Sequence, residues 1–300
     1  MIIRRTDLAA EARELWRETA GETTELAGVR AETKEESGFA VETVNILDEA
    51  GEAALGKPKG CYISIDISPL TGREEGAFDR AAGLLAQRLQ TLLDLKDGET
   101  VLVCGLGNSA ITPDNIGPAA VKNVLATRHL VERMPEDFAA FRPVAVVEAG
   151  VLGTTGVESA EIVRAVAEKV KPAVVIAIDA LASRRMARIC RTLQLSDTGI
   201  VPGSGVGNAR SELSEKTLGV PVIAIGVPTV VDAGTLAADL MEQAGAGEWR
   251  SSDFAQFGGK MVVTPREIDS QVDQCARLIA YGINMALHDI TADDVTMLIN

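Results

Sequence analysis

The run Ala173-Val174-Val175-Ile176-Ala177-Ile178 constrains the fold of this chain more than any other stretch. It is too short for a buried helix, rich in β-branched side chains, and lacks the polar alternation of a half-solvated strand. A continuous apolar run of this length fits a strand covered on both faces, which in most proteins is a parallel strand under helices. Shorter runs of the same kind stand at Val101-Leu102-Val103-Cys104, Val144-Ala145-Val146-Val147 and Val222-Ile223-Ala224-Ile225. Helical spacing fills the intervals. Residues 78–95 carry Leu84, Leu85, Leu89, Leu92 and Leu93 on one face, and helices are expected over Pro118–Leu130, Ser159–Val170, Leu181–Leu193 and residues 231–243. This alternation predicts an α/β fold: a doubly wound, mostly parallel sheet flanked by helices.

The flanks are less regular. Leu8, Ala12 and Leu15 suggest a short helix, Lys34–Gly38 reads as a loop, and Val41, Val44 and Ile46 fit an edge strand. Tyr62-Ile63-Ser64-Ile65-Asp66-Ile67 alternates as a half-buried strand does. Residues 245–260 read as a Gly- and Ser-rich loop, and Val262-Val263-Thr264-Pro265 leads into a long helix ending near residue 287. No internal repeat appears, and residues 1–300 are read as a single α/β domain. With 46% hydrophobic but only 3% aromatic residues, Ala, Val, Leu and Ile must build the core.

A net charge of -14 argues against a protein that grips nucleic-acid phosphates, which takes clustered Lys and Arg. Cys61, Cys104, Cys190 and Cys275 include no Cys-x-x-Cys pair, so neither a zinc site nor a disulfide framework is expected, and a reducing, cytoplasmic setting is. Met1-Ile2-Ile3-Arg4-Arg5 is soon followed by acidic residues and is not expected to be a signal peptide. No apolar run approaches the ~20 residues that span a bilayer.

In open α/β sheets, function gathers beyond the carboxyl ends of the strands. Three carboxylates are expected there: Asp179 after Ile178, Asp114 in Thr112-Pro113-Asp114, and Glu148 after Val147. Each has a plain structural reading as a helix cap or a solvated side chain. Two carboxylates meeting at one sheet edge would instead share a proton, one activating water while the other polarises a carbonyl. Asp197 lies in Asp197-Thr198-Gly199, the tripeptide of pepsin-like enzymes, but it occurs once and in the wrong fold class, so a turn role is expected. Gly105-Leu106-Gly107-Asn108 and Pro202-Gly203-Ser204-Gly205-Val206-Gly207-Asn208 lack the remaining residues of nucleotide-binding motifs; close approach of a substrate to the backbone is the better reading. His129 and His288, the only histidines, have no Gly-x-Ser-x-Gly nucleophile to serve.

Several stretches together resemble the germination protease family. These include Arg5-Thr6-Asp7-Leu8-Ala9, Gly56-Lys57-Pro58-Lys59-Gly60, Thr112-Pro113-Asp114, Thr127-Arg128-His129-Leu130 and Ile178-Asp179-Ala180-Leu181. Ser196-Asp197-Thr198-Gly199-Ile200, the stretch Pro202–Asn208, Gly226-Val227-Pro228-Thr229 and Val263-Thr264-Pro265-Arg266-Glu267 continue the series in family order. The resemblance implies an atypical aspartic endopeptidase that begins the degradation of small acid-soluble spore proteins during germination, in the cytoplasm of the spore core. It implies Asp114 and Asp179 as the catalytic pair, Gly203, Ser204, Gly205 and Asn208 lining the peptide cleft, and no metal or other cofactor. It further implies a homotetramer, and a zymogen whose processing bond corresponds to Asp7–Leu8, with residues 1–7 as a short propeptide. No membrane or direct nucleic-acid partner is implied. Glu148-Ala149-Gly150 departs from the family pattern; a third carboxylate there would either raise the proton affinity of an aspartate of the pair or point away from it.

Two other readings fit parts of the sequence. Gly-x-Gly-Asn followed by an Asp and Gly-Pro is similar to hydrogenase maturation proteases, where Asp114, Asp179 and His129 would be metal ligands and the fold would be related. A non-catalytic α/β ligand-binding protein would use the Gly-rich loops alone.

Overall fold

The computed structural model describes residues 5–20, 26–207, 210–245 and 261–299. The chain begins with helix α1 (Ala9–Ala20), the hairpin β1 (Val29–Glu36) and β2 (Phe39–Ile46), helix α2 (Glu49–Leu55), strand β3 (Gly60–Asp66) and the short helix α3 (Ser68–Thr71). Helix α4 (Ala77–Leu92) leads to β4 (Val101–Leu106), then α5 (Ile116–Val121), α6 (Arg128–Arg133), β5 (Val144–Gly150), α7 (Leu152–Thr155) and α8 (Ser159–Val170). The rest comprises β6 (Val174–Ser183), β7 (Thr192–Ser196), α9 (Glu215–Leu218), β8 (Val222–Asp232), α10 (Ala233–Gln243), β9 (Val262–Val263), α11 (Ile268–His288) and α12 (Ala292–Ile299).

These strands form one sheet, ordered β1-β2-β3-β7-β8-β6-β4-β5, with β9 paired to the end of β8. The four strands β5, β4, β6 and β8 are parallel to their neighbours within this group. From β8 outward the pairings β8·β7, β7·β3, β3·β2 and β2·β1 are antiparallel. The strand alternation splits the apolar side chains between two layers. Val101, Val103, Ile176 and Ile178 face the core shared with α4, α5 and α11, whereas Leu102, Cys104, Val175 and Ala177 face the core under α8. Burial on both faces explains why β4 and β6 read as unbroken apolar runs. Ala9, Val44, Ile46, Leu55 and Tyr62 make a smaller cluster under α1.

Several elements differ from the sequence reading. No helix spans Leu181–Leu193: β6 continues to Ser183, a 3-10 turn covers Met186–Arg188, and β7 begins at Thr192. The residues are adequate helix formers, but β8 keeps pairing with β6 out to Ser183↔Val231. The buried Glu11 carboxylate then accepts the Arg184 and Arg185 N–H groups at 2.6 and 3.0 Å, ending the strand. Tertiary contacts here override local propensity. The helix expected over Pro118–Leu130 is two short helices, α5 and α6, broken at 122–127, where Asn284 accepts from the Leu125 N–H at 2.9 Å. The edge strand is β1, not β2, and Lys34–Glu36 belong to it. The loop expected over 245–260 lies, apart from Gly245, outside the described residues. Among the described residues no helix is long and apolar enough to cross a membrane.

Candidate active site

Asp179 lies within β6 rather than at its end. On one side β8 continues the ladder, Asp179↔Gly226. On the other side β4 pairs with β6 only as far as Gly105↔Ile178. The Asp179 side chain is therefore buried, 4% exposed, on a strand held by β8 where β4 has already stopped.

The chain leaving β4 brings in Asp114. Gly107 takes φ +113°, and a Cβ there would lie 2.1 Å from the Asp114 carbonyl oxygen, so the reversal requires glycine. The Asn108 N–H donates to the Asp114 carbonyl at 3.0 Å and to its carboxylate Oδ2 at 2.9 Å. Thr112–Asp114 form a 3-10 turn pinned from outside: the Thr229 hydroxyl donates to the Pro113 carbonyl at 2.6 Å, and the Thr112 hydroxyl to the Asp269 carboxylate at 2.8 Å. Helix α5 then packs against the sheet through glycines. A Cβ on Gly117 would fall 2.3 Å from the Leu106 carbonyl and 2.5 Å from the Ile178 carbonyl.

The two carboxylates face the same cavity of about 350 Å³, whose wall also includes Asn108, Ile111, Leu152 and Val230. Burial pushes the Asp114 carboxyl up to about 6, opposed only by the Asn108 N–H bond. Burial pushes Asp179 well above the carboxylate range; the nearby charge of Asp114 pushes it further, the Ala180 N–H bond opposes, and Asp7 adds a smaller upward push. Two carboxylates raised in this way, each disfavouring the other's charge, hold on to a proton between them above the pH at which a free carboxyl ionises. That is the arrangement of a general acid beside a general base.

A second cavity of about 1270 Å³ opens on the other side of Asp179, over the antiparallel half of the sheet. Lys57, Tyr62, Gln194 and Ser196 line it, and it shares Asp7, Asp179, Leu181 and Gly203 with the first. Asp7 lies between the two. Its N–H donates to the Ala182 carbonyl at 2.9 Å, and its carboxylate accepts from the Ala182 N–H at 2.8 Å and the Ser204 hydroxyl at 2.6 Å. Gly205 lies directly beneath: a Cβ on it would sit 2.1 Å from Asp7 Oδ2. Leu8, fully buried, anchors the segment from the other side.

The remaining sequence candidates fall elsewhere. Glu148 is exposed on β5 opposite Gly105 and lines neither cavity. Asp197 is exposed and its Oδ1 accepts the Cys61 N–H at 2.7 Å, the turn role expected of it, at the rim of the larger cavity. His129 is exposed on α6, away from both carboxylates, and among the described residues no three metal-ligating side chains converge. The metal-site alternative built on Asp114, Asp179 and His129 is thereby corrected: α6 carries His129 to a different surface. His288 is buried against Phe141, and burial lowers its imidazole to about 4. All four cysteines are free thiols. Asn208 lies outside the described residues. Sequence reasoning gave no chemical role to Lys57, Gln194 or Thr229. Only Gln194, polar between Leu193 and Leu195 on β7, carried a readable signal.

An α/β sheet with two desolvated carboxylates in one cleft defines, as a class, a protein equipped for acid–base chemistry. The germination protease family profile matches residues 8–244. The germination protease of Clostridium perfringens strain ATCC 13124 is 42% identical over 99% of both chains, and that of Caldanaerobacter subterraneus subsp. tengcongensis 45% identical over 94% of both. The germination protease of Bacillus cytotoxicus is 35% identical over 97% of this chain and 95% of its own. The chain belongs to the germination protease family and is an endopeptidase of spore germination, a hydrolase. A solved structure, the [NiFe] hydrogenase maturation protease HycI from Thermococcus kodakarensis KOD1, matches 65% of this chain and 98% of its own at 17% identity and a TM-score of 0.36, a likeness too low to bear on chemistry.

Proposed function

We propose that this endopeptidase hydrolyses small acid-soluble spore proteins with a water activated between Asp114 and Asp179. The observation that carries the reading is the pair itself, two carboxylates in one cleft, with burial pushing Asp114 up to about 6 and burial and the Asp114 charge pushing Asp179 well above its ordinary value. Asp114 is the base: it takes a proton from the water as the water oxygen attacks the scissile carbonyl carbon. Asp179 is the acid: it gives its proton to the carbonyl oxygen, forming a tetrahedral diol. On collapse Asp114 returns its proton to the leaving nitrogen, Asp179 recovers one from a diol hydroxyl, and the C–N bond breaks. The peptide lies across both cavities, against Gly203, Ser204 and Gly205. Family membership brings the spore-protein substrate, the spore-core cytoplasm, the atypical aspartic class, a homotetrameric assembly and zymogen processing at Asp7–Leu8 into the same reading.

The test is cleavage of a purified small acid-soluble spore protein by wild type, Asp114→Asn and Asp179→Asn, with and without EDTA. Loss of at least ~100-fold in both folded variants, with EDTA inert, is expected for a general acid and a general base. Variants that still cut would sink the pair, and loss with EDTA alone would make these carboxylates metal ligands.

A further inference from the structure

Cys190 and Cys275 stand 85 residues apart in sequence and meet in the core that includes α4 and α11. Cys190 follows the 3-10 turn Met186–Arg188 on the crossover from β6 to β7. It takes φ +52°, a left-handed conformation uncommon for a residue with a Cβ, and its N–H donates to the Pro228 carbonyl of β8 at 2.7 Å. Cys275 lies inside α11. Its thiol donates to the Cys190 carbonyl at 3.8 Å and is in hydrogen-bonding contact with the Cys190 thiol. Cysteines that pack only as small apolar side chains have no need of one another. Here the backbone of one is held in an uncommon conformation beside the thiol of the other.

That contact joins the two arms that carry the cleft carboxylates. The crossover bearing Cys190 continues from β6, the strand of Asp179, and α11 begins with Asp269, whose carboxylate holds the Thr112 hydroxyl of the turn that carries Asp114. A cavity of about 620 Å³ opens alongside, lined by Leu70 and Thr71 of α3 and by Gln271 and Gln274 of α11. Gln271 precedes Cys275 by one turn on the same helix face. The Ile67 N–H, just before α3, donates to the carbonyl of Arg191, next to Cys190, at 2.8 Å. Contact with the Cys190 thiol, and then burial, raises the Cys275 thiol well above its ordinary value, so it is unreactive while the core is closed. Local opening of α3 from α11 on the cavity side would admit a small molecule to both sulfurs.

We propose that Cys190 and Cys275 are a modification site, a dithiol that a low-molecular-weight disulfide converts into a disulfide bond between the β6–β7 crossover and α11. One cysteine, as thiolate, attacks a sulfur of the small disulfide, breaks its S–S bond and releases one small thiolate. The other cysteine attacks the protein sulfur of the mixed disulfide, forms the Cys190–Cys275 bond and releases the second small thiolate. The protein pair loses two electrons and two protons, and the small disulfide gains them as two thiols. Neither cysteine lines either cleft cavity, and the bond forms whether or not the carboxylates cleave peptides.

The test uses the full chain carrying Cys61→Ser and Cys104→Ala, which leaves only the pair, beside the wild-type chain. Both are incubated with excess glutathione disulfide a few degrees below their melting points, where local opening is frequent. The double variant should lose both free thiols without retaining glutathione. Both chains should give a tryptic product in which Ile189–Arg191 is joined to Glu267–Arg277. Melting should rise by about 7 °C, the entropic effect of closing a loop of 85 residues in a chain of 300, and dithiothreitol should reverse it. Cys190→Ala and Cys275→Ala, two variants so that misfolding of one leaves the other, should show no such rise. Two thiols surviving the treatment overturn the proposal, as does a mixed disulfide that goes no further or a linked chain that melts no higher than the reduced one.

Discussion

Replacing Asp114 by Asn should stabilise the protein while disabling it, and only above the pH at which Asp114 ionises. The folded chain holds the Asp114 proton until about pH 6, against an ordinary value of 3.8. Folded protein thus binds this proton more tightly than the unfolded chain, so stability falls as pH rises from about 4 through about 6 and is level beyond. At about 1.36 kcal/mol per pH unit, the ionised carboxylate costs the native state about 3 kcal/mol above pH 6. Asparagine is neutral throughout, and its side-chain oxygen can still accept the Asn108 N–H that Oδ2 takes at 2.9 Å. With an unfolding entropy of about 2.1 cal/mol/K per residue, the gain corresponds to about 5 °C at pH 8 for a chain of this size. At pH 4 it shrinks to about 0.5 kcal/mol, under 1 °C, because most of the carboxyl is protonated in the fold and much of it in the unfolded chain. Melting of wild type and Asp114→Asn at the two pH values reads the difference directly. An equal shift at both, or a lower melting point at pH 8, would refute the desolvated-carboxylate account and return Asp114 to a plain turn or cap role.

Two further outcomes follow from the contacts that set up the site. Gly117→Ala should cost about 2–3 kcal/mol in urea unfolding, since the new Cβ meets two carbonyl oxygens of strand backbone at 2.3 and 2.5 Å; a cost below ~0.5 kcal/mol would show that α5 is loosely seated. Thr229→Val removes the 2.6 Å bond to the Pro113 carbonyl at a fully buried position. It should cost about 1–2 kcal/mol and lower kcat several-fold with KM and the pH profile of cleavage unchanged, as befits a positioning residue.

The parallel half of the sheet was legible because burial on both faces writes itself as apolar runs. Val174–Ile178, Val101–Cys104 and Ser159–Val170 all fall where expected. The strand-end rule also selected Asp114 and Asp179, which share one cavity. What the sequence hid were features set by distant partners. The end of β6 and the start of β7 depend on Glu11, 173 residues before Arg184, taking the Arg184 and Arg185 amides. The role of Gly205 depends on Asp7 lying against it, a contact between residues far apart in sequence. Glu148 had the same local credentials as Asp179 yet is exposed, because β5 is the sheet edge and Glu148 alternates with Ala149, whose side chain is the one buried in the core under α8.

The position of the carboxylates follows from unequal strand lengths. Strand β4 has 6 residues, whereas β6 has 10 and β8 has 11. Had β4 matched its neighbours, Asp179 would face a third strand, with no room for a second carboxylate or a peptide. Because β4 stops early, Asp179 remains on a backbone fixed by β8, and the turn after β4 returns Asp114 into the gap. Rigid placement and desolvation thus come from the sheet, and access comes from the missing strand length. The same gap leaves Ala182 able to pair with an incoming extended segment, as it does with Asp7. One step in the sheet therefore provides both the gap in which the two carboxylates meet and the edge on which Asp7 is laid, and neither can be moved without the other.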